Sequence, residues 1–405
     1  MLRRVLIQHG RHLQIKQSFI HTTSTHPRHP SPSSSSSYQY MKPLLFGAIS
    51  CTTIFFSAAC IHEREKETLW QKLRKQAGNT LRDIITDDNL VWSDIYKEKK
   101  KMLREYQNQV LRDLQQRLEQ YNALPVQLKR SLLATAETAF YMPESEKTMA
   151  ALISINVAVF ACWKVPALQK YMVRYFCHNP AAAASNTGRQ QPQWTLFTSC
   201  FSHRNVIHLT VNMVGLWSLG PVLHDLLGRE QFVALYLSLG IGANVISHQL
   251  QLLAKQVAAR PILPSMGASG ALYGLLTGTA YLYPDAVAFV ALLPWIPFKI
   301  TYAVPALLTL DAAGILMRWR MFDHFAHLGG AALGIAYMQF GPNHMWPYMI
   351  NTVRNLKKSV GNGKGGGSSN NNGGGDKTSG ALMEMPERIR AKIFGKKTVA
   401  VPEKQ

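Results

Sequence analysis

Ser269, His327, His208 and Asn212 are the residues whose types and placement could combine into a reaction. A serine hydroxyl becomes a nucleophile when an imidazole takes its proton, which requires the two within about 2.6–3.2 Å of each other. Peptide hydrolysis also needs hydrogen-bond donors for the oxyanion. His208 and Asn212 stand at i and i+4 on one helix face, and with the Ser269 backbone N–H they would supply those donors. Each residue has a duller use when taken singly. A serine in an apolar helix bonds its own i−4 carbonyl, and an isolated histidine or asparagine serves packing or an interhelical bond. The argument for chemistry is the arrangement, because all four lie at the beginnings of alternate apolar segments and so at one shallow depth.

Two glycine patterns would bring the serine and the imidazole together. Ser269 lies in GASGALYGLLTG, where Gly270, Gly274 and Gly278 recur every four residues, and His327 lies in AHLGGAALG, where Ala326, Gly330 and Gly334 do the same. Such small-residue faces let two helix backbones approach without side chains between them. Gly267 and Gly270 flank the serine, and Gly330 follows the histidine by three. Tyr273, one turn after Ser269, is a ring that orients His327 or lines the site, simple packing being the alternative. Two carboxylates are near in sequence. Asp323, four residues before His327, reads as a helix N-cap. Asp311 falls inside an apolar segment and needs a partner or a wet cavity, which the sequence does not name. The economical catalytic unit is therefore a Ser269–His327 dyad.

The elements that must carry these residues are membrane helices, so the expected class is all-α, a polytopic membrane bundle. Pro43 to Ile61 gives 19 uncharged residues, enough for a first span (43–61). Six more spans are expected near 148–168, 205–224, 231–253, 266–283, 300–317 and 325–341. The run 286–298 is apolar but short and broken by Pro294 and Pro297, so it should lie at the interface or against the bundle. The charged region 62–145 has leucines at helical spacing and reads as a soluble helical linker before a core at 146–341. Residues 342–405, which hold NGKGGGSSNNNGGGDKTSG, read as a flexible, basic, Gly/Asn-rich tail.

The formal charge of +21 does not point to nucleic acid: residues 205–341 carry six Lys/Arg against five Asp/Glu, so the excess lies in the flanks. Before Glu63 there is no acidic residue, while Arg3, Arg4, Arg11, Lys16, Arg28 and Lys42 surround a Ser-rich run; residues 1–42 therefore read as a mitochondrial transit peptide. Positive charge gathers in alternate loops, at Lys170, Arg174, Arg189 and Arg204, at Lys255 and Arg260, and at Arg318 and Arg320 against Asp323. The insertion rule puts that side in the matrix, although the basic C-terminal tail runs against it. Cys51, Cys60, Cys162, Cys177 and Cys200 make no CxxC and no zinc-like spacing. No metal and no cofactor is expected.

HLTVN, GASGALYG and AHLGGAALG, in this order on alternate spans, resemble the rhomboid signature of HxxxN, GxSG and HxxGxxxG. FSHRNVIHLTVN and GREQFVALYL add to the likeness, which covers residues 146–341. The extra first span and FDHFAHLGG make the chain similar to the mitochondrial inner-membrane rhomboids of the presenilin-associated type. The resemblance implies a serine-type endopeptidase of the mitochondrial inner membrane. It would cleave transmembrane segments of other proteins in the lipid bilayer. Ser269 would be nucleophile, His327 base, His208 and Asn212 oxyanion partners, and Tyr273 a ring stacked on the histidine. The competing class is a catalytically inactive rhomboid-like chaperone that binds helices with the same bundle. A transporter would show broken half-helices in matching halves, and the sequence has no internal repeat.

Overall fold

The computed structural model describes residues 35–85, 92–183, 191–290 and 293–363. Residues 1–34 of the expected transit peptide (1–42) and residues 364–405 of the expected tail lie outside the described residues, and residues 35–42 form the start of the first helix. Where lipid replaces water, each backbone N–H and C=O must bond within the chain, and the apolar blocks satisfy this as helices. Helix α1 (Ser35–Ile85) runs through the expected first span and keeps Pro43 inside it. Helices α2 (Trp92–Gln120) and α3 (Val126–Tyr141) pair in the linker. Gln107 Nε2 donates to Phe140 O at 2.7 Å, and Tyr141 Oη donates to Asn108 Oδ1 at 2.5 Å.

Helices stand at the six expected core positions: α4 (Glu144–Lys164), α6 (Val206–Leu227), α7 (Arg229–Ala258), α8 (Ser269–Leu282), α9 (Ile300–Leu316) and α10 (His324–Phe340), with the short α5 (Gln169–Tyr175) between the first two. Among the described residues four helices are long and apolar enough to cross a membrane: Tyr40–Thr68 of α1, α4, α6 and α7. The window of α7 is 61% buried and that of α1 only 22%, so α7 is the axis of the bundle and α1 an outer helix packed on it. Phe232, Leu235 and Leu239 of α7 meet Leu216 and Leu223 of α6 and Leu275 of α8 in the buried centre. Helix α8 has only 14 residues, about 21 Å at 1.5 Å per residue, against about 30 Å of hydrocarbon. It cannot reach both surfaces, and Ser269 is its first residue.

Two segments depart from expectation. The run 286–298 forms a hairpin, β1 (Val287–Val290) against antiparallel β2 (Leu293–Lys299), with Val287 opposite Lys299 and Phe289 opposite Pro297. Pro294 and Pro297 remove N–H donors that a helix would need, whereas β-branched and aromatic neighbours suit a strand. The all-α class holds for the rest of the described residues. The second departure corrects the start of the tail. After a π turn at Gly341–Met345 the chain forms α11 (Trp346–Gly363). Ile350 and Val353 of α11 pack on Ala59 of α1, and Arg354 pairs with Glu63 at 2.9 Å. Trp346, Ile350 and Val353 share one helix face, which the polar composition farther along concealed.

Candidate active site

Helix α8 begins at Ser269 because the chain just before it cannot be helical. Gly267 has φ +117°, a conformation closed to most L side chains, and a Cβ there would lie 2.8 Å from His208 Cε1. The segment is held by Gly267 N–H donating to Ser199 O at 2.9 Å and by Ala268 N–H reaching His203 Nε2 at 3.4 Å. Leu272 N–H bonds Ala268 O at 3.1 Å, so the N–H of Ser269 precedes the helical ladder, as the first donors of any helix do. Helix α10 starts with Asp323 as its N-cap, as expected, its carboxylate accepting from Ala326 N–H at 3.1 Å.

The glycine faces meet as their spacing implied. A Cβ built on Gly330 would stand 1.9 Å from the Gly270 carbonyl oxygen, and one on Gly334 2.1 Å from that of Gly274. The helices therefore touch backbone to backbone. Thr277 ties them further by donating to Ala331 O at 2.8 Å. With the axes so close, Ser269 Oγ and His327 Nε2 are 2.9 Å apart. The Tyr273 ring lies parallel to that of His327, with centroids 4.3 Å apart and planes 11° from each other.

A third group completes the line. His327 Nδ1–H donates to Asp311 Oδ1 at 2.9 Å, which leaves Nε2 unprotonated and able to accept from Ser269. Asp311 is 3% exposed, and the same oxygen accepts from His324 Nδ1 at 2.5 Å. The expectation of a two-residue unit is thus extended by the carboxylate that the sequence left without a partner. Asp311, His324 and His327 hold ligand atoms within 4.8 Å of one another, a spacing a divalent ion would also fit. Two imidazole N–H donors on one carboxylate account for the grouping without one.

His208 and Asn212 share a face beside this line. Asn212 Nδ2 donates to His208 O at 3.0 Å and to His203 Nε2 at 3.0 Å, so its amide hydrogens are committed within the protein. The His208 ring is half-buried, edge-on to His203 with centroids 4.9 Å apart, and borders Gly267. His203 lies in the connection before α6, where burial first and then neighbouring His208 push its pKa down to about 3. It stays neutral and serves as an acceptor.

A protein-family model described as Rhomboid domain matches residues 190–341. Presenilin-associated rhomboid-like protein A, mitochondrial, of Danio rerio is 34% identical over 314 residues, which are 76% of this chain and 72% of that protein. The chain belongs to the rhomboid family. The human presenilin-associated rhomboid-like protein, mitochondrial, is 36% identical over 205 residues, and Rhomboid protein 1, mitochondrial, of Saccharomyces cerevisiae 33% over 198. These matches cover 51% of the human protein and 54% of the yeast one, so the chain spans about half of each. Members of the rhomboid family are generally serine intramembrane proteases. The relatives and the apolar helices support a mitochondrial membrane protein.

Within this rhomboid bundle Ser269, His327 and Tyr273 stand together, His208 borders Gly267, and Asn212 bonds His203 and the His208 carbonyl; Asp311 gains its partner, and His324 and His203 are the residues the sequence did not single out. Asp311 had a signal, since a lone carboxylate in an apolar span demands a partner. His324 and His203 had little, being histidines at a helix start and in a connecting turn, where solvent usually satisfies them.

Proposed function

We propose that this rhomboid is an intramembrane serine endopeptidase of the mitochondrial inner membrane that hydrolyses peptide bonds in or near transmembrane segments. The observation that carries the reading is the 2.9 Å contact of Ser269 Oγ with His327 Nε2, backed by Asp311 on the other ring nitrogen. His327 takes the Ser269 proton as Oγ bonds the scissile carbonyl carbon. The oxygen thereby gains negative charge, and the Ser269 N–H and the His208 ring face it. Asn212 acts through the His208 carbonyl and His203 in the resting arrangement, or turns its amide to the oxyanion when substrate binds. His327 then gives its proton to the leaving amine, an acyl-enzyme remains on Ser269, and water activated by His327 releases it. Asp311 holds the imidazole tautomer and faces the charge that forms on it.

A helical substrate has every backbone bond satisfied, so it must unwind before its carbonyl reaches Ser269. The substrate partners are accordingly transmembrane proteins with locally weak helices. The proposed chain organisation is a transit peptide at 1–42, an outer membrane-spanning helix, a helical linker to 145, the protease core at 146–341 and a basic tail. The test is cleavage of a tagged transmembrane substrate by the full chain in detergent, comparing wild type with Ser269→Ala and His327→Ala. Both variants are expected to be inactive. Cleavage by either at the wild-type rate overturns the assignment, and a folded wild type that cuts no transmembrane segment favours the helix-binding chaperone.

A further inference from the structure

Ser269 and His327 are separated by 58 positions, and so are Ser265 and Asp323. The second pair stands four residues before the first in both segments of the chain. Ser265 Oγ donates to Asp323 Oδ2. The carboxylate also accepts from Ser247 Oγ of α7, at 2.6 Å to Oδ1 and 2.8 Å to Oδ2, and from Ala326 N–H at the start of α10. Asp323 O accepts from His327 N–H at 3.1 Å. Ser265 is 1% exposed and Ser247 is fully buried. One carboxylate thus joins the segment that enters Ser269, the turn that presents His327, and the central helix of the bundle.

An N-cap needs only the Ala326 bond. The two serine hydroxyls go beyond it, and they matter for different reasons. Ser265 belongs to an extended segment whose backbone is held to other parts of the bundle, by pairing with His178, N–H to O at 2.7 Å and His178 N–H to Ser265 O at 3.0 Å, and by Leu263 N–H donating to Gln251 Oε1 at 2.7 Å, while its side chain ties it directly to the start of α10. Ser247 sits within a helix whose own ladder and packing already hold it. Removing the Ser265 bond unties the approach to the nucleophile from the start of α10, whereas removing the Ser247 bond leaves both reactive segments tied to each other.

We infer that Asp323 is a positioning residue, whose carboxylate sets the Ser269–His327 distance by clamping Ser265 to the N-terminus of α10. It touches neither substrate nor the reacting atoms. The inference rests on the protease reading above. A misplacement on the scale of 1 Å costs about 10²-fold in rate, and the loss falls on kcat because substrate contacts are made elsewhere.

The experiment measures kcat, KM and thermal midpoint for the full chain in detergent with a transmembrane substrate. Asp323→Asn and Ser265→Ala are expected to lower kcat by about 10²-fold with KM changed by less than about threefold. Ser265→Thr, which keeps the hydroxyl, should restore most of the rate. Ser247→Ala, which removes a bond to the same carboxylate, should keep kcat within about threefold. The double variant Asp323→Asn/Ser265→Ala should be no slower than the slower single one, because both remove one link. Should Asp323→Asn fail to fold, the Ser265 and Ser247 variants decide alone. Equal losses at Ser265 and Ser247, or losses that track the thermal midpoint, overturn the clamp while leaving the protease intact. A wild type without activity, or an active Ser269→Ala, overturns the protease reading and the clamp with it.

Discussion

Gly330 stands so close to Gly270 that a Cβ added to it would lie 1.9 Å from the Gly270 carbonyl oxygen. That oxygen belongs to backbone and cannot swing aside. Gly330→Ala must therefore push α10 off α8 or tilt it, and His327 lies one turn before the point of contact. Overpacking of this kind costs about 1–3 kcal/mol. The expected outcome is a lower thermal midpoint together with a rate loss larger than the stability change explains, because the Ser269–His327 contact opens. Unfolding followed by intrinsic fluorescence, with cleavage measured well below the midpoint, separates the two. An unchanged rate in Gly330→Ala would mean that the helix approach does not set the contact.

Asp311→Asn keeps an oxygen facing His327 Nδ1 but removes the charge that stabilises the imidazolium during proton transfer. It also allows the amide to present a donor, which favours the wrong tautomer with the proton on Nε2. The expected loss in kcat is about two to four orders of magnitude. KM should hardly move, since Asp311 is buried behind the histidine at 3% exposure. If Asp311→Asn cleaves at more than a tenth of the wild-type rate, the site works as a serine and a histidine alone.

How far the sequence carries is seen in the contrast between Gly330 and Asp311. Helix contacts made by small residues leave a period of four in the sequence, and the pairing of Gly270 with Gly330 was legible from it. The site residues on helix starts were legible for the same reason, since position along an apolar block fixes depth. Asp311 was legible as a problem without a solution: its partners His324 and His327 lie across a helix-to-helix contact whose rotation no local pattern sets. The hairpin at Val287–Lys299 and the helix Trp346–Gly363 stand where the sequence predicts an interfacial run and a flexible tail. For the helix the deciding contacts are with a segment distant in sequence, as when Ile350 meets Ala59.

Tyr273 stacks on His327 through its ring, at 4.3 Å between centroids, so the face and the hydroxyl are separable by substitution. Tyr273→Phe retains the stack, worth about 0.5–1.5 kcal/mol for an aromatic pair, and should keep activity within about fivefold. Tyr273→Ala leaves the imidazole free to rotate about χ2 and opens space beside it. Its kcat is expected to fall by about 10–100-fold, as for a lost orienting contact. Equal activities of the Phe and Ala variants would make the ring a packing residue only.

Two histidines outside the membrane-spanning helices make the fold acid-sensitive. His178 is fully buried; its Nδ1 pairs with Thr195 Oγ1 at 2.8 Å and its Nε2 with His248 Nδ1 at 2.9 Å. Burial first, and then the neighbouring His248, push the His178 pKa down to about 3, and burial with His208 does the same for His203. In the unfolded chain each returns to about 6.5, so between about pH 6.5 and pH 3 the unfolded state binds more protons. Stability therefore rises with pH in that window: it is fully present above pH 6.5 and is lost as the solution is acidified toward pH 3. The slope is at most about 1.4 kcal/mol per pH unit for each histidine. The thermal midpoint in detergent is expected to drop steadily from pH 7 to pH 4.5. His178→Gln, which keeps hydrogen-bonding groups but cannot take up a proton, should flatten that drop even if it lowers the midpoint at pH 7. A midpoint profile as steep in His178→Gln as in wild type would remove His178 as a source of the acid sensitivity.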